Sequence, residues 1–147
     1  MNSQLTTFYL GKELYGIEVM RVEEVTGNLE VISVPLAPKF VRGLINLRGQ
    51  IATALDLNHL FGVDTIERQE QMSVVCRIDG YLVSFLVDAI GDVVEMESTK
   101  FETPPETIPS GVKKFLKGVY KTPKELLSLL DLDALSKELL QNNTITN

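Results

Sequence analysis

The side chains that most often do chemistry are few in this chain of 147 residues. His59 is the only histidine and Cys76 the only cysteine, so a metal cluster would have to be built from carboxylates. Cys76 alternates with Val74 and Ile78, which predicts a buried structural thiol on the inward face of a strand. His59 lies in LNHLF, where a packing or surface role is expected. Zinc-finger spacing, a phosphate loop and a nucleophile elbow do not occur in the sequence.

The carboxylates also favour a structural interpretation. Asp131 and Asp133 stand two residues apart at the start of LDLDALSKELLQ, which has the apolar period of a helix. Carboxylates at a helix N-terminus cap the free amides and stabilise the helix dipole. The predicted apolar stripe consists of Leu132, Leu135, Leu139 and Leu140. The sequence therefore predicts no catalytic residue, no metal ligand and no cofactor.

Composition excludes several classes of partner. A hydrophobic content of 44% suits one compact domain with a substantial core. The formal net charge of −6 gives no support for general binding to nucleic acid or anionic lipid. The first twenty residues lack a secretion signal, and no apolar run approaches the ~20 residues that span a bilayer. Because a single cysteine also suits a reducing compartment, we expect a cytoplasmic protein.

The chain contains a twofold internal repeat. FVRGLINLRGQIATALDLNHL from Phe40 aligns without a gap with FLKGVYKTPKELLSLLDLDAL, which begins 75 residues later at Phe115. Upstream, GIEVMRVEEV from Gly16 aligns with SFLVDAIGDVV, which begins 68 residues later at Ser84. Units of roughly 70 residues are rarely stable alone. We therefore expect two subdomains that share a core.

Most of each unit is predicted to be strand. Short runs bounded by Gly, Pro, Asp or Lys indicate strands at LTTFYL, LYGIEV, LEVISV, GLINL, QIATALDL, MSVVCRI, YLVSFLV, DVVEM, GVYK and ELLSLLDL. Asp79-Gly80 is the strongest hairpin signal, because a type I′ turn needs positive φ at both central residues. A short helix is expected after Asp56. Short strands with tight turns favour small barrels over a parallel sheet.

The predicted fold is therefore mainly β, with two small five-stranded barrels, short helices and a C-terminal helix. The first subdomain is expected at about residues 14–70 and the second at about 71–141, with strand exchange near the termini. Residues 142–147 are expected to form a disordered tail.

One turn differs between the two units. Asn46-Leu47-Arg48-Gly49 aligns with Lys121-Thr122-Pro123-Lys124, so a unit does not need the N-L-R-G sequence to fold. Two interpretations stay open. Either Gly49 only supplies positive φ beside a solvated Arg48, or the turn is a recognition surface. In the second case a rigid hairpin holds the arginine ready to pair with a carboxylate.

The chain resembles the CheW family of chemotaxis coupling proteins. The resemblance rests on YGIEVMRVEEV, VPLAPKFVRGLINLRGQ, YLVSFLVDAIGDVVEM, and FLKGVY followed by LLSLLDLDAL, in that order from about Phe8 to Leu140. It implies two Src-homology-3-like barrels with a receptor-facing groove between them. It also implies a non-enzymatic adaptor that links chemoreceptors to the histidine kinase CheA in chemosensory arrays.

Motif positions in the family imply a set of receptor- and kinase-coupling residues, namely Val22, Glu24, Gly43, Asn46, Arg48, Gly49 and Gly118. The implied partners are the regulatory domain of a CheA-type kinase and the cytoplasmic tip of chemoreceptors, with no nucleic acid and no membrane insertion. We expect a chain that is monomeric in isolation, cytoplasmic, and recruited to receptor arrays at the inner membrane.

The sequence departs from the family pattern at Ser84, where glycine is common, at Asn58, where arginine is common, and at the small residues Ala52 and Ala54. These departures affect contact details more than family membership. Two alternatives are a small-ligand or catalytic domain that uses the cleft between the barrels, and a CheV-like or other CheW-like coupling module. A CheV-like protein would be expected to continue into a receiver domain.

Overall fold

A computed structural model describes residues 2–27, 29–62 and 71–141. The strands are β1 (Asn2–Leu10), β2 (Glu13–Glu18), β3 (Val22–Gly27), β4 (Val41–Leu47), β5 (Gln50–Asp56), β6 (Met72–Ile78), β7 (Tyr81–Val87), β8 (Ala89–Glu97), β9 (Phe101–Glu102), β10 (Leu116–Lys121) and β11 (Leu126–Leu130). The helices are α1 (Leu57–Leu60), α2 (Ser110–Lys113) and α3 (Leu132–Gln141). Among the described residues no helix is long and apolar enough to cross a membrane.

The strands form two sheets. Sheet A has the order β8-β1-β2-β11-β10-β9, and sheet B has the order β3-β6-β7-β5-β4. Neighbouring strands are antiparallel except at β2–β11 and β5–β7, which are parallel. The predicted mainly β fold with few short helices is confirmed. Sheet B has the predicted five strands, and sheet A has six because the short β9 adds an edge.

The two halves of the chain exchange hairpins. Hairpin β1–β2 comes from the first half but pairs with β8 and β11, while hairpin β6–β7 comes from the second half and pairs with β3 and β5. Each sheet therefore needs strands from both halves. The division of the chain near residue 70 stays a prediction, since residues 63–70 lie outside the described residues, as does the tail at 142–147.

Most local predictions are confirmed. Asp79 and Gly80 have φ angles of 49° and 84°, as a type I′ turn requires. The side chain of Asp56 accepts a hydrogen bond from the His59 amide at the start of α1. Asp131 does the same for α3, accepting from the Asp133 and Ala134 amides at 3.1 Å each.

One strand assignment was wrong, and the six-residue strand β3 was missed. LEVISV, residues 29–34, is not a strand, because only Ile32 forms a bridge, to Leu44. Pro35, which has no backbone N–H to donate, follows directly. Conversely, β3 (Val22–Gly27) was not predicted. β3 is an edge strand with alternating exposure, and its two adjacent glutamates make the sequence resemble a loop.

A shared hydrophobic core lies between the two sheets. Sheet A contributes Phe8 and Ile17, and sheet B contributes Cys76 and Phe85, all with exposures of 0–1%. Cys76 is fully buried, which confirms the predicted buried thiol, and burial raises the pKa of this thiol to about 12. Each sheet also has a smaller cluster of its own, around Leu127 in sheet A and around Ile45 in sheet B. The largest cluster is thus built by both sheets together, as the sequence predicted.

We expect one cooperative unfolding transition, because removal of either half would leave both sheets incomplete. Differential scanning calorimetry should give a single peak whose calorimetric and van't Hoff enthalpies agree. Chains cut between the halves, such as residues 1–70 alone, should not fold without the complementary piece. Two separated transitions, or a folded half-chain, would contradict this expectation.

Candidate coupling surface around the Arg48 turn

The N-L-R-G sequence forms a two-residue hairpin turn between β4 and β5. Leu47 pairs with Gln50, and the central residues Arg48 and Gly49 have φ angles of 51° and 90°. The Asn46 side-chain oxygen accepts a hydrogen bond from the Gly49 amide at 2.9 Å, which closes the turn. A left-handed conformation suits Asn, Asp or Gly better than Arg. An arginine here is therefore unfavourable for the turn itself, and such positions concentrate at functional sites.

Glu24 on β3 holds the Arg48 guanidinium in place. Arg48 Nη1 donates to Glu24 Oε2 at 3.3 Å, and Nη2 forms the second contact, with Glu24 Oε1. This hydrogen bonding, reinforced by the Glu24 charge, raises the pKa of Arg48. The Arg48 side chain is nevertheless 78% exposed, against 25% for Glu24. The pair therefore orients the guanidinium while leaving most of it open to a partner.

A second arginine, Arg77 on β6, binds residues that adjoin Glu24 and Gly49 in the chain. Its Nε donates to Glu23 at 2.9 Å, and its Nη1 and Nη2 donate to the Gly80 carbonyl at 3.1 Å and to Gln50 at 3.4 Å. A β-bulge between Val22 and Glu24 interrupts the regular pairing of β3 there. The neighbouring glutamates 23 and 24 thus both reach arginines. Sequence reasoning missed Arg77, because no contact across β3 could be inferred while β3 itself was unassigned.

An exposed apolar side chain lies next to this turn. Ile51 follows Gln50 on β5, is 58% exposed and stands opposite the exposed Asn46 in the β4–β5 ladder. Val25 is 38% exposed but points to the opposite face of β3 from Glu24. We call Glu24, Asn46, Arg48, Gly49 and Ile51 the Arg48 surface. An oriented charge beside an exposed apolar group is a common composition for a protein-binding surface.

The remaining predicted coupling residues lie elsewhere. Gly43 and Gly118 are buried, stand 75 residues apart, and occupy matching β-bulges in β4 and β10. A Cβ at Gly43 would lie 2.6 Å from the carbonyl carbon of Ile32, and one at Gly118 would lie 2.6 Å from the Glu102 carbonyl oxygen. Val22 is half-buried and packs against the shared core. Whether these three residues take part in coupling stays a prediction.

A cleft of about 420 Å³ opens on sheet A, and it tests the catalytic alternative. Its titratable groups among the described residues are Glu13 and Tyr15, and burial, with the Glu13 charge adding, raises the pKa of Tyr15 to about 12. His59, at the surface, does not line it. No three His, Cys, Asp or Glu side chains of the described ranges cluster as metal ligands would. No pair of groups suited to acid-base catalysis is therefore assembled there.

Comparison with known proteins decides the family. The family model described as CheW-like domain matches residues 4–139. The chain belongs to the CheW-like family. Chemotaxis protein CheW of Treponema pallidum is 32% identical over 143 residues, covering 92% of this chain and 84% of the relative. Chemotaxis protein CheW of Thermotoga maritima is 27% identical over 136 residues, covering 92% and 89%.

A solved structure agrees with this assignment. The crystal structure of the scaffolding protein TtCheW from Thermoanaerobacter tengcongensis superposes with a TM-score of 0.80 at 29% identity, covering 88% of this chain and 89% of that one. The resemblance noted from the sequence is thus confirmed. With it, the function class is a non-enzymatic chemotaxis coupling adaptor, and the catalytic alternative is not favoured.

Gly43→Ala should destabilise the protein strongly, because the new Cβ meets the Ile32 backbone and φ is +148°. We expect a loss of about 2–4 kcal/mol in the free energy of unfolding by urea denaturation. Gly111→Ala is the matched control, since a Cβ there meets nothing within 4 Å. It should stay within about 1 kcal/mol of wild type. Equal stability of the two variants would show that the bulge tolerates a side chain.

Proposed function

We propose that this chain couples the cytoplasmic tip of chemoreceptors to the regulatory domain of a CheA-type kinase, in arrays at the inner membrane. We propose further that the Arg48 surface carries one of the coupling contacts. Family membership, relatives named chemotaxis protein CheW, and likeness to a protein described as a scaffold support the first part. The geometry of the Arg48 turn supports the second part.

One observation carries the second part: Arg48 occupies a left-handed turn position that disfavours arginine, and the matching turn forms without one. Its counterpart in the second unit is Pro123, in a turn closed differently, by the Thr122 hydroxyl accepting from the Glu125 amide at 3.0 Å. Both hairpins keep the same frame of paired strands. Since the frame folds with either turn, the fold does not explain the choice of arginine, and a partner can.

The Arg48 surface suits a transient contact with a carboxylate on the partner. Glu24 fixes the guanidinium before binding, so little side-chain entropy is lost on association. Ile51 supplies apolar area beside the turn. Such a contact buries about 1,200 Å² or less in total. Reversible coupling in an array requires a small, transient interface of this kind more than a permanent one.

Gly43, Gly118 and Val22 would then act indirectly. Gly43 allows the segment around Ile32 to pair closely with β4, and Gly118 allows β9 to pair closely with β10. Both glycines therefore set the position of an edge of their sheet. Substitutions there should impair coupling together with stability, whereas substitutions at Arg48 should separate the two.

Arg48→Asp is expected to weaken the binding of coupling partners without unfolding the chain. Aspartate tolerates the left-handed conformation, so the hairpin is retained. The melting temperature should shift by roughly 2 °C or less, as for other exposed substitutions. Binding to receptor-tip or kinase regulatory fragments should weaken roughly thirtyfold or more, because an attractive contact becomes repulsive. Calorimetric titration and thermal melts measure both quantities.

Two controls make this test specific. Pro123→Asp places the same residue in the matching turn of sheet A and should not affect contacts made by the Arg48 surface. The double variant Arg48→Asp with Glu24→Arg reverses the internal ion pair, so it keeps the pair but presents the opposite charge. Wild-type binding by this double variant would mean that the pair serves the fold alone. Wild-type binding by Arg48→Asp itself would remove the proposal for this surface.

The two sheets should also support two separable contacts with CheA-type domains. They present related frames with different turns, and heterologous contacts of this kind close into rings or extend as chains. Light scattering of mixtures with the kinase regulatory domain should show species larger than a 1:1 complex as concentration rises. A complex that stays strictly 1:1 at saturation would contradict this prediction.

A further inference from the structure

The cleft on sheet A is a concave feature that lies outside the Arg48 surface. Its floor is formed by Glu13 and Tyr15 on β2 and by Ser128 on β11. Ser128 stands directly beside Tyr15 in the parallel ladder. The walls come from Phe61 after α1 and from the segment around Val112 and Leu116. The cleft is open at the surface and combines an apolar wall with polar groups on one strand pair.

These polar groups have no partner within the described part of the chain. The Glu13 carboxylate is exposed and makes no ion pair or hydrogen bond with any described residue, and the same holds for hydrogen bonds of the Tyr15 and Ser128 hydroxyls. Glu13 and Tyr15 stand two residues apart on β2, so their side chains share one face of sheet A, and both line the cleft. One acid and two hydroxyls thus converge on a site without an internal cation.

Two largely buried rings adjoin them. The rings of Tyr15 and Phe61 lie 5.5 Å apart with an interplanar angle of 39°, and each side chain is only 6% exposed. Tyr15 also stacks on Phe8, and Phe61 on Phe115, at 5.9 Å each, so these rings give the cleft an apolar wall. The same cleft therefore offers a carboxylate for charge, hydroxyls for hydrogen bonds and an apolar wall.

We propose that this cleft binds an arginine side chain presented by a partner polypeptide. Glu13 accepts from the guanidinium, and the Ser128 and Tyr15 oxygens accept from its remaining N–H groups. Arginine fits better than lysine because it has five donors in one plane and an apolar stem that Val112 and Leu116 can cover.

This site is separate from the Arg48 surface. Glu13, Tyr15 and Ser128 belong to sheet A, whereas Arg48 and Glu24 belong to sheet B. The charge chemistry is also opposite, since the Arg48 surface presents a cation and the cleft presents an anion. The proposal therefore goes beyond the coupling contact and does not depend on it.

The test is an NMR titration of the isotope-labelled full chain with N-acetyl-arginine amide. The neutral isostere N-acetyl-citrulline amide is the matched ligand control. Arginine should produce saturable shifts at the amides of Glu13, Tyr15, Gly62 and Ser128, with a dissociation constant of roughly 1–10 mM for this single side chain. Citrulline should bind at least about tenfold more weakly, because it lacks the charge.

Protein variants complete the design. Glu13→Gln should weaken arginine binding about fivefold or more, since the partner of the guanidinium loses its charge. Glu30→Gln removes an exposed carboxylate next to sheet B, outside the cleft, and should leave the affinity within about twofold. Both positions are exposed, so both variants should melt like wild type. A Ser128→Ala variant should show an intermediate loss.

Three results would overturn the proposal. Equal binding of citrulline and arginine would mean that charge is not recognised. Equal effects of Glu13→Gln and Glu30→Gln would mean that arginine is attracted only by the net charge of −6. Shifts spread over the surface, without saturation, would mean that no built site exists. None of these outcomes bears on the effect of Arg48→Asp.

Discussion

The burial of one face of each sheet against the other is the constraint on which the structure depends. Strand β7 shows what this constraint requires of the sequence. Every residue from Leu82 to Val87 is buried, because one face of the strand packs in the cluster of sheet B and the other face packs against sheet A. Such strands cannot alternate between apolar and polar residues. The exchanged hairpins follow from the same need, since each half places a hairpin, β1–β2 or β6–β7, at the centre of the sheet completed by the other half. Sharing a core therefore replaces the separate cores that units of this size could not build.

Recognition is consequently limited to turns, edges and the rim of the shared core. The central strands have both faces occupied, so a substitution there changes stability before it changes binding. Residues at the hairpin tips are not buried in this way. At the tip of β4–β5 the chain places an arginine, and at the matching tip of β10–β11 it places proline and lysine, on frames that pair in the same register 75 residues apart. The bulges at Gly43 and Gly118 belong to the frame, which explains why both halves keep them while the tips differ.

The sequence predicted those features that depend on local pattern or on self-comparison. The repeat, the Asp79-Gly80 hairpin and the capped helix after Asp131 each rest on residues that lie close together in the chain. It did not predict β3, whose half-exposed strand carries adjacent glutamates, and it assigned a strand to residues 29–34, where a single bridge forms before Pro35. Because β3 was not assigned, the contacts of Arg77 were not predicted either. They join Arg77 to Glu23 and Gln50, on three strands that are distant in sequence. Resemblance supplied Arg48 and Glu24 as motif positions, but only the fold shows that they form one ion pair.

Internal duplication gives this adaptor two surfaces of opposite character on one rigid body. Sheet B presents the guanidinium of Arg48, held by Glu24, while the cleft on sheet A presents the carboxylate of Glu13 without an internal partner among the described residues. Had both halves kept the same turns, a partner would meet two equivalent sites and could not distinguish one end of the chain from the other. Divergence at exposed positions breaks that equivalence at little cost to folding, because the conserved frame lies in the strands. Since the shared core fixes the two sheets relative to each other, a partner on one surface and a partner on the other are held at a defined spacing. A linker between two independent domains would not provide this.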